Sequence, residues 1–368
     1  LQPHSLTNNR FWNGLQNPYG DFFTPEKYIP ASGYPGRTFE VCHTMNESFG
    51  YSHHDKKWKS TKDVVHMLVD IVSKGGNLLL NVGPDGKGHI PAESASVLRE
   101  TGEWLKVHGD AVYGTKGSPV GKLIFNGRCT AKALNDGTTN LYFHILDWPA
   151  DGKLTLPSIK NEIKSVSLLG SEQKLSLPTA DGGLTLILPK LAPNKLCSVV
   201  KINIKGTPVV DNASALVQQK ADRSVLVKAF NAEVKGSQIK IAQASGSNPT
   251  HVSHWVDANQ TASFSFNVNS PGPVQAGGAV KHKPGKYAVY LNYAADKNAG
   301  GSLKLTTVNN QQVEFDMKPT GSWNSYKRQK VGEITLTKMG ETKIKLEALK
   351  VNSTGFMNIK SLELKPIN

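Results

Sequence analysis

Side chains able to move protons or stack on a ring crowd into one short stretch near the front of this 368-residue chain: Asn46, Glu47, Phe49, His53, His54, Asp55 and Trp58. Carboxylates and imidazoles are the commonest acid/base groups, and aromatic rings beside them supply an apolar wall for an organic ligand. His53-His54-Asp55 is also made of metal-ligating types. Neighbouring residues point apart, however, and no further ligand follows at helical i, i+4 spacing, so no metal is expected there. Asp55 precedes Lys56 and Lys57, and neutralising them is its competing role. Glu40 lies inside an apolar strand segment, the place of a structural carboxylate.

These residues need a frame. Thr38 to Cys42 reads as an apolar strand that opens into the loop. A helix follows through Ser73, with Ser60 or Thr61 as N-cap and Val64, Val65, Leu68, Val69 and Val72 on one face. Gly75-Gly76 ends it, and a second apolar strand (Leu78 to Val82) runs to Gly83-Pro84. A phosphate loop is the rival reading of the glycine pair; it fails because the glycines follow a helix and precede a strand, the reverse of what anion binding needs. Another helix is expected from about Pro91 to Val107, with Pro91 in its first turn and Val97, Leu98, Trp104 and Leu105 on its apolar face. Strand, polar loop, helix, strand is the grammar of a β/α barrel, in which chemistry sits on loops after strand ends.

Beyond this the period changes to two. Residues 117–204 alternate apolar and polar between Gly, Asn, Asp and Pro turns, as in an antiparallel β-sandwich. Residues 205–215 read as a linker, and 216–368 as a further all-β unit. The expectation is a multidomain α/β plus all-β protein: the C-terminal part of a (β/α) barrel over residues 1–116, a sandwich, then a β jelly roll. No apolar run is long enough to cross a membrane. The net charge of +14 is scattered, with no run of five like charges, so a basic surface suited to acidic polysaccharide or cell-wall material is favoured over nucleic acid. The chain begins at Leu1 rather than Met, without a charged start followed by an apolar core, so a leader is expected to have been removed or the sequence to start within a longer protein, and secretion is expected. Asn46, Asn212, Asn259 and Asn352 stand in glycosylation triplets. Cys42 reads as a buried thiol, while Cys129 and Cys197 could pair.

Four blocks in order, GDFFTPE (Gly20 to Glu26), FEVCHTMNESFGY (Phe39 to Tyr51), KWKS (Lys57 to Ser60) and SKGGNLLLNVGPDGKGHIP (Ser73 to Pro91), resemble the α-L-fucosidases of glycoside hydrolase family 29. The resemblance implies a retaining exo-α-L-fucosidase that acts on fucosylated glycans or glycoconjugates without a cofactor, using two carboxyl groups about 5 to 5.5 Å apart. It places the acid/base at Glu26, with Phe22, Phe23 and Tyr28 expected to desolvate it, and leaves Asp55 as second candidate. Arg10, in Asn9-Arg10-Phe11, corresponds to an arginine lying against the active-site carboxylates, and Phe49 to an aromatic that contacts the C6 methyl of fucose. His43 stands where some relatives have Arg, and Trp58 is a stacking candidate. The family's nucleophile segment has no match here. It is expected from an N-terminal part of the barrel, as the same protein or a separate chain, and residues 1–368 alone are not expected to hydrolyse a fucoside.

The last unit resembles the carbohydrate-binding modules of families 6 and 35 through FNAEV (Phe230 to Val234), GKYAVYLNYA (Gly285 to Ala294), GSW (Gly321 to Trp323) and GFMNIKSLEL (Gly355 to Leu364). That resemblance points to Trp323, Tyr326 or Trp255 as a sugar platform. Where relatives hold a structural Ca²⁺ this chain has Asn231-Ala232-Glu233 and Lys360, and an ammonium repels the ion, so no Ca²⁺ is expected. The alternative function is that of a non-catalytic carbohydrate-binding protein.

Overall fold

The step Ser60-Thr61-Lys62-Asp63 before an apolar run starts helix α1 (Thr61–Ser73). The Ser60 hydroxyl accepts from the Asp63 N–H at 3.1 Å and the Asp63 carboxylate accepts from the Ser60 N–H at 3.0 Å, which satisfies two otherwise orphaned donors. The computed structural model in which this is seen describes residues 4–10, 19–30, 32–34, 36–173, 175, 184–211, 216–236, 238–244, 248–270, 284–352 and 355–367.

Three parallel strands flank the helix: β1 (Phe22–Phe23), β2 (Thr38–Thr44) and β3 (Gly76–Asn81), in that spatial order. Bridges from Asn8 to Phe22 and from Glu26 to Cys42 extend the pairing. Partners in register share a face, and successive residues alternate. Phe23, Phe39, Val41, Leu78 and Leu80 therefore look toward Met67 and Ile71 of α1, while Glu26, Glu40, Cys42, Leu79 and Asn81 look away from it. Gly75 (φ +80°) turns the chain after α1, and Gly76 is needed because a Cβ there would lie 2.3 Å from the Phe39 ring.

α1 is buried on two sides, not one. Val65 and Val69 join Trp104, Ala111, Tyr142 and Val199 in a second cluster, and the expected single stripe missed Met67 and Ile71. Helix α2 spans Ala92–His108 with Pro91 as its N-cap. Its buried stripe is Ser94, Thr101, Trp104 and His108, whereas Leu98, expected inside, is exposed.

The sandwich comprises β4 (Gly127–Ala133), β5 (Thr138–Ile145), β6 (Lys153–Leu156), β7 (Ser158–Ile159), β8 (Ile163–Leu168), β9 (Leu184–Ile187), β10 (Ser198–Lys205) and β11 (Val210–Asp211). β4-β5-β10-β8 form an antiparallel sheet, and β6-β9 and β7-β11 form two smaller ladders. One face of the sheet packs Cys129, Leu141, Phe143 and Ile202 against Leu154, Leu156 and Leu186; the other packs Tyr142 and Val199 against the helices. Cys129 belongs to the first cluster and Cys197 to the second, so they do not pair: all three cysteines are free. Burial pushes the Cys129 thiol up to about 12 and that of Cys197 higher still.

Leu1–Ser214 form one unit and Ala215–Asn368 another. The second holds β12 (Val217–Gln218), β13 (Val225–Lys228), β14 (Ala232–Lys235), β15 (Lys240–Ala242), β16 (His251–Ser253), β17 (Thr261–Val268), β18 (Gly285–Ala294), β19 (Gly301–Thr307), β20 (Gln312–Met317), β21 (Lys327–Leu336), β22 (Gly340–Val351) and β23 (Asn358–Ile367). Two six-stranded sheets, β12-β17-β22-β19-β20 with β14 on β17, and β15-β16-β23-β18-β21 with β13 on β23, make a jelly roll. Phe264, Phe266 and Leu346 of the first sheet meet Tyr287, Val289, Leu362 and Leu364 of the second in one core. Among the described residues no helix is long and apolar enough to cross a membrane.

Candidate active site

Glu26 ends the strand extension of β1, on the sheet face that carries no helix. Its neighbour in register is Cys42, followed across the sheet by Leu79, which is 52% exposed. Arg10 is laid against this carboxylate. Its Nη1 donates to Glu26 Oε2 at 2.9 Å, Nε donates to Thr24 Oγ1 at 2.8 Å, and Nη2 donates to the Thr24 carbonyl at 3.1 Å. Asn9 steadies the same point, its Oδ1 accepting from both the N–H and the hydroxyl of Thr24. Glu26 and Arg10 side chains are each 38% exposed, so the site is half-open. The aromatic enclosure expected around Glu26 is absent in part: Phe23 stacks on Tyr34 at 4.6 Å on the helix side of the sheet, and Tyr28 is exposed. Burial raises the Cys42 thiol above its usual value, with Arg10 pulling it down and Glu26 and Glu40 pushing it up.

The loop after β2 is built around Asp55. Oδ2 accepts from the N–H groups of Glu47 and Ser48 and from the Ser48 hydroxyl, each at 2.9 Å, and Oδ1 accepts from the Lys57 N–H at 3.2 Å. Burial works against the charged form, but the donors of Ser48, Lys57 and Glu47 outweigh it and hold the carboxyl below its usual range. Both oxygens of the second candidate are thus taken up in closing its own loop. Glu47 pairs with Lys57 at 3.0 Å on the surface. His53 and His54 are exposed with ring centroids 5.6 Å apart, and no metal-ligating cluster occurs among the described residues.

Phe49 has a cation on its ring: Lys27 Nζ lies 4.8 Å from the centroid and donates to the Glu47 carbonyl. Lys27 follows Glu26 directly and has a φ of +53°, a turn that brings its side chain to this loop. Asn81 Nδ2 donates to Thr44 Oγ1 at 3.1 Å and to the Phe49 carbonyl at 2.6 Å, so the ends of β2 and β3 fix where Phe49 sits. Sequence reasoning passed over Thr44 and Asn81; the available signal was their position at strand ends. The Trp58 indole N–H is buried without a hydrogen-bond partner among the described residues. His43 is not brought to Glu26. Strand alternation puts it on the opposite face from Cys42, and its Nδ1 accepts from the Thr44 N–H at 2.9 Å. Asn46 is buried, which leaves no room for a glycan, whereas Asn259 and Asn352 are exposed; Asn212 lies outside the described residues.

In the second unit Trp255 is buried in the core, while Trp323 and Tyr326 are half-buried. Glu233, at one of the positions considered for Ca²⁺, pairs with Lys343 at 2.9 Å.

Residues 1–110 match the family model described as Alpha-L-fucosidase, and residues 130–203 match that of the Alpha-L-fucosidase C-terminal domain. Both segments are thus similar to α-L-fucosidases. The part of that family's catalytic domain matched here is the parallel sheet with α1 and α2, and it includes Arg10, Glu26, Phe49 and Trp58. The α-L-fucosidase of Dictyostelium discoideum is 29% identical over 197 residues, which cover 51% of this chain and 42% of that protein. Human tissue α-L-fucosidase is 28% identical over 209 residues, 55% of this chain and 44% of that protein. The chain thus spans about four-tenths of the length of these curated relatives. Among solved structures, α-L-fucosidase isoenzyme 1 of Paenibacillus thiaminolyticus is 33% identical with a TM-score of 0.50, over 56% of this chain and 51% of that one. The α-L-fucosidase of Vibrio sp. strain EJY3 shares the fold over 94% of this chain and 58% of its own, with a TM-score of 0.60 at 23% identity. The β-rich second unit carries no family assignment.

Proposed function

We propose that the chain is the C-terminal portion of a retaining exo-α-L-fucosidase that releases terminal fucose from glycans or glycoconjugates. The observation that carries this is the Arg10–Glu26 pair at a strand end, on the helix-free face of a parallel sheet, within the family-matched segment. Glu26 acts as acid/base, protonating the departing oxygen and then deprotonating the incoming water. The ion pair at 2.9 Å is the arrangement of its ionised half-cycle. Arg10, fixed by Thr24 and Asn9, keeps the carboxylate aimed while its own charge faces the reacting centre. Phe49, with Lys27 on its ring, lines the sugar pocket, and the buried Trp58 indole N–H offers a donor to a sugar hydroxyl. The nucleophile comes from a barrel strand other than the three described, about 5 to 5.5 Å from Glu26.

The test is Glu26→Gln in the full-length protein. Activity on an alkyl fucoside, whose leaving group needs a proton, should fall by about 10²-fold or more. Activity on an aryl fucoside with an acidic leaving group should fall far less, and azide should restore turnover. Unchanged kinetics on the alkyl fucoside would remove Glu26 from the role.

A further inference from the structure

Backbone pairing fixes Glu26 against β2. The Cys42 N–H donates to the Pro25 carbonyl at 3.0 Å, and the Lys27 N–H donates to the Cys42 carbonyl at 2.9 Å. Lys27 then leaves the strand with a φ of +53°, in the left-handed region that Arg223, His254 and Asn310 alone share among the described non-glycine residues. A long side chain rarely adopts that conformation, and it persists where the surroundings enforce it.

The surroundings here are the loop after β2. Lys27 Nζ donates to the Glu47 carbonyl and lies 4.8 Å from the centroid of the half-buried Phe49 ring. A cation so placed is attracted by the negative face of the ring. The backbone around Phe49 is pinned separately: Thr44 Oγ1 donates to the Ser48 carbonyl at 3.1 Å and Asn81 Nδ2 to the Phe49 carbonyl at 2.6 Å. Those bonds act on the main chain, whereas Lys27 bears on the ring itself. The neighbouring ammonium groups are committed elsewhere, Lys57 to the Glu47 carboxylate at 3.0 Å and Lys59 to the Asn46 carbonyl at 3.3 Å.

One lysine therefore joins the two halves of the site, its backbone abutting the carboxylate at the strand end and its ammonium lying on the aromatic wall. L-Fucose is L-galactose without the C6 hydroxyl, so a pocket that prefers it needs apolar surface against that carbon, held at a set distance from the reacting groups. Building on the fucosidase reading above, we propose that Lys27 is a positioning residue that sets the place of the Phe49 ring relative to Glu26, and thereby sharpens the preference for a 6-deoxy sugar. Lys27 touches neither the sugar nor the departing group in this role; it acts through Phe49.

The test compares Lys27→Met and Lys27→Arg in the full-length protein. Methionine keeps an unbranched stem but has neither charge nor donor, whereas arginine keeps both. kcat and KM are measured on an aryl α-L-fucoside and on the matching α-L-galactoside, which carries the extra hydroxyl. Lys27→Met should lower kcat/KM on the fucoside about tenfold, the worth of a charge-assisted hydrogen bond, and leave the galactoside within about twofold. Lys27→Arg should keep the fucoside-to-galactoside ratio within about twofold of the native protein. A variant that is merely less stable loses both substrates together and leaves the ratio alone. An aryl leaving group of low pKa departs without a proton, so the ratio does not depend on Glu26 being the acid. Hydrogen exchange over residues 46–50 should be about fivefold faster in Lys27→Met and unchanged in Glu26→Gln, a readout that needs no turnover. An unchanged ratio in Lys27→Met, a ratio as narrow in Lys27→Arg as in Lys27→Met, or unaltered exchange over residues 46–50 would each overturn the proposal. Absence of turnover in the native protein would instead remove the fucosidase reading, and the exchange result would then decide the latch by itself.

Discussion

His144 should make the first unit acid-labile, and the size of the expected effect follows from its surroundings. The side chain is fully buried on the helix-facing side of β5. The Thr130 hydroxyl donates to the Ala111 carbonyl at 2.7 Å, so it can only accept from His144 Nε2–H at 3.1 Å, and Nδ1 is left bare. Nδ1 is buried without a partner among the described residues. Burial, aided by His108 and Arg128, pushes the imidazole from its usual 6.5 down to about 3. A group with a depressed folded value is neutral in the fold, and the unfolded chain takes up its proton first. The stability it contributes is therefore present above 6.5 and lost as pH falls from 6.5 toward 3. At pH 4.5 the unfolded state has gained about two pH units of proton affinity, which at 1.36 kcal/mol per unit is about 3 kcal/mol. Urea unfolding at pH 7 and pH 4.5, for the native sequence and for His144→Gln, isolates this contribution, since other groups titrate in both. The variant is less stable at pH 7, but its loss between the two pH values should be smaller by about 3 kcal/mol. Identical pH slopes, or an imidazole carbon resonance of His144 that titrates above pH 5, would refute the reasoning.

Two further outcomes can be checked on the same material. Asp70 binds Lys74 at 2.9 Å and also Arg128, tying α1 to β4; burial opposes its charge, but the two cations hold its carboxyl far below the usual range. Asp70→Asn leaves two adjacent cations without a counter-charge and should cost about 3 kcal/mol in urea unfolding, whereas a loss under about 1 kcal/mol would mean that solvent screens them. Burial pushes the thiols of Cys129 and Cys197 up, so at pH 8 the native chain should consume no more than one equivalent of an aromatic disulfide reagent promptly, from Cys42, and three after denaturation. Rapid reaction of all three in the native state would contradict the burial.

What could be read from the residues was whatever local rules decide. Ser60 or Thr61 announces the start of α1, Gly75-Gly76 its end, and alternation announces the strands of the sandwich and jelly roll. What escaped depends on contacts across long stretches of sequence. Val65, Val69, Met67 and Ile71 look like one wide apolar surface until both neighbours of α1 are known. Asp55 reads as a catalytic candidate because carboxylates look alike in a sequence; only the positions of the Glu47, Ser48 and Lys57 N–H groups show what it does. The Arg10–Glu26 pair, 16 residues apart, was legible only through the family resemblance, since no local rule specifies the parallel register that joins them.

The two-sided burial of α1 makes that helix a party wall. Met67 and Ile71 close the parallel sheet while Val65 and Val69 close the sandwich, so neither room can be emptied without opening the other. Residues 1–214 should accordingly melt as one cooperative block, and trimming away the sandwich to obtain a smaller catalytic piece would strip an apolar helix face rather than detach an accessory. In this architecture the all-β segment after α2 serves as the outer lining of the sheet that carries Glu26.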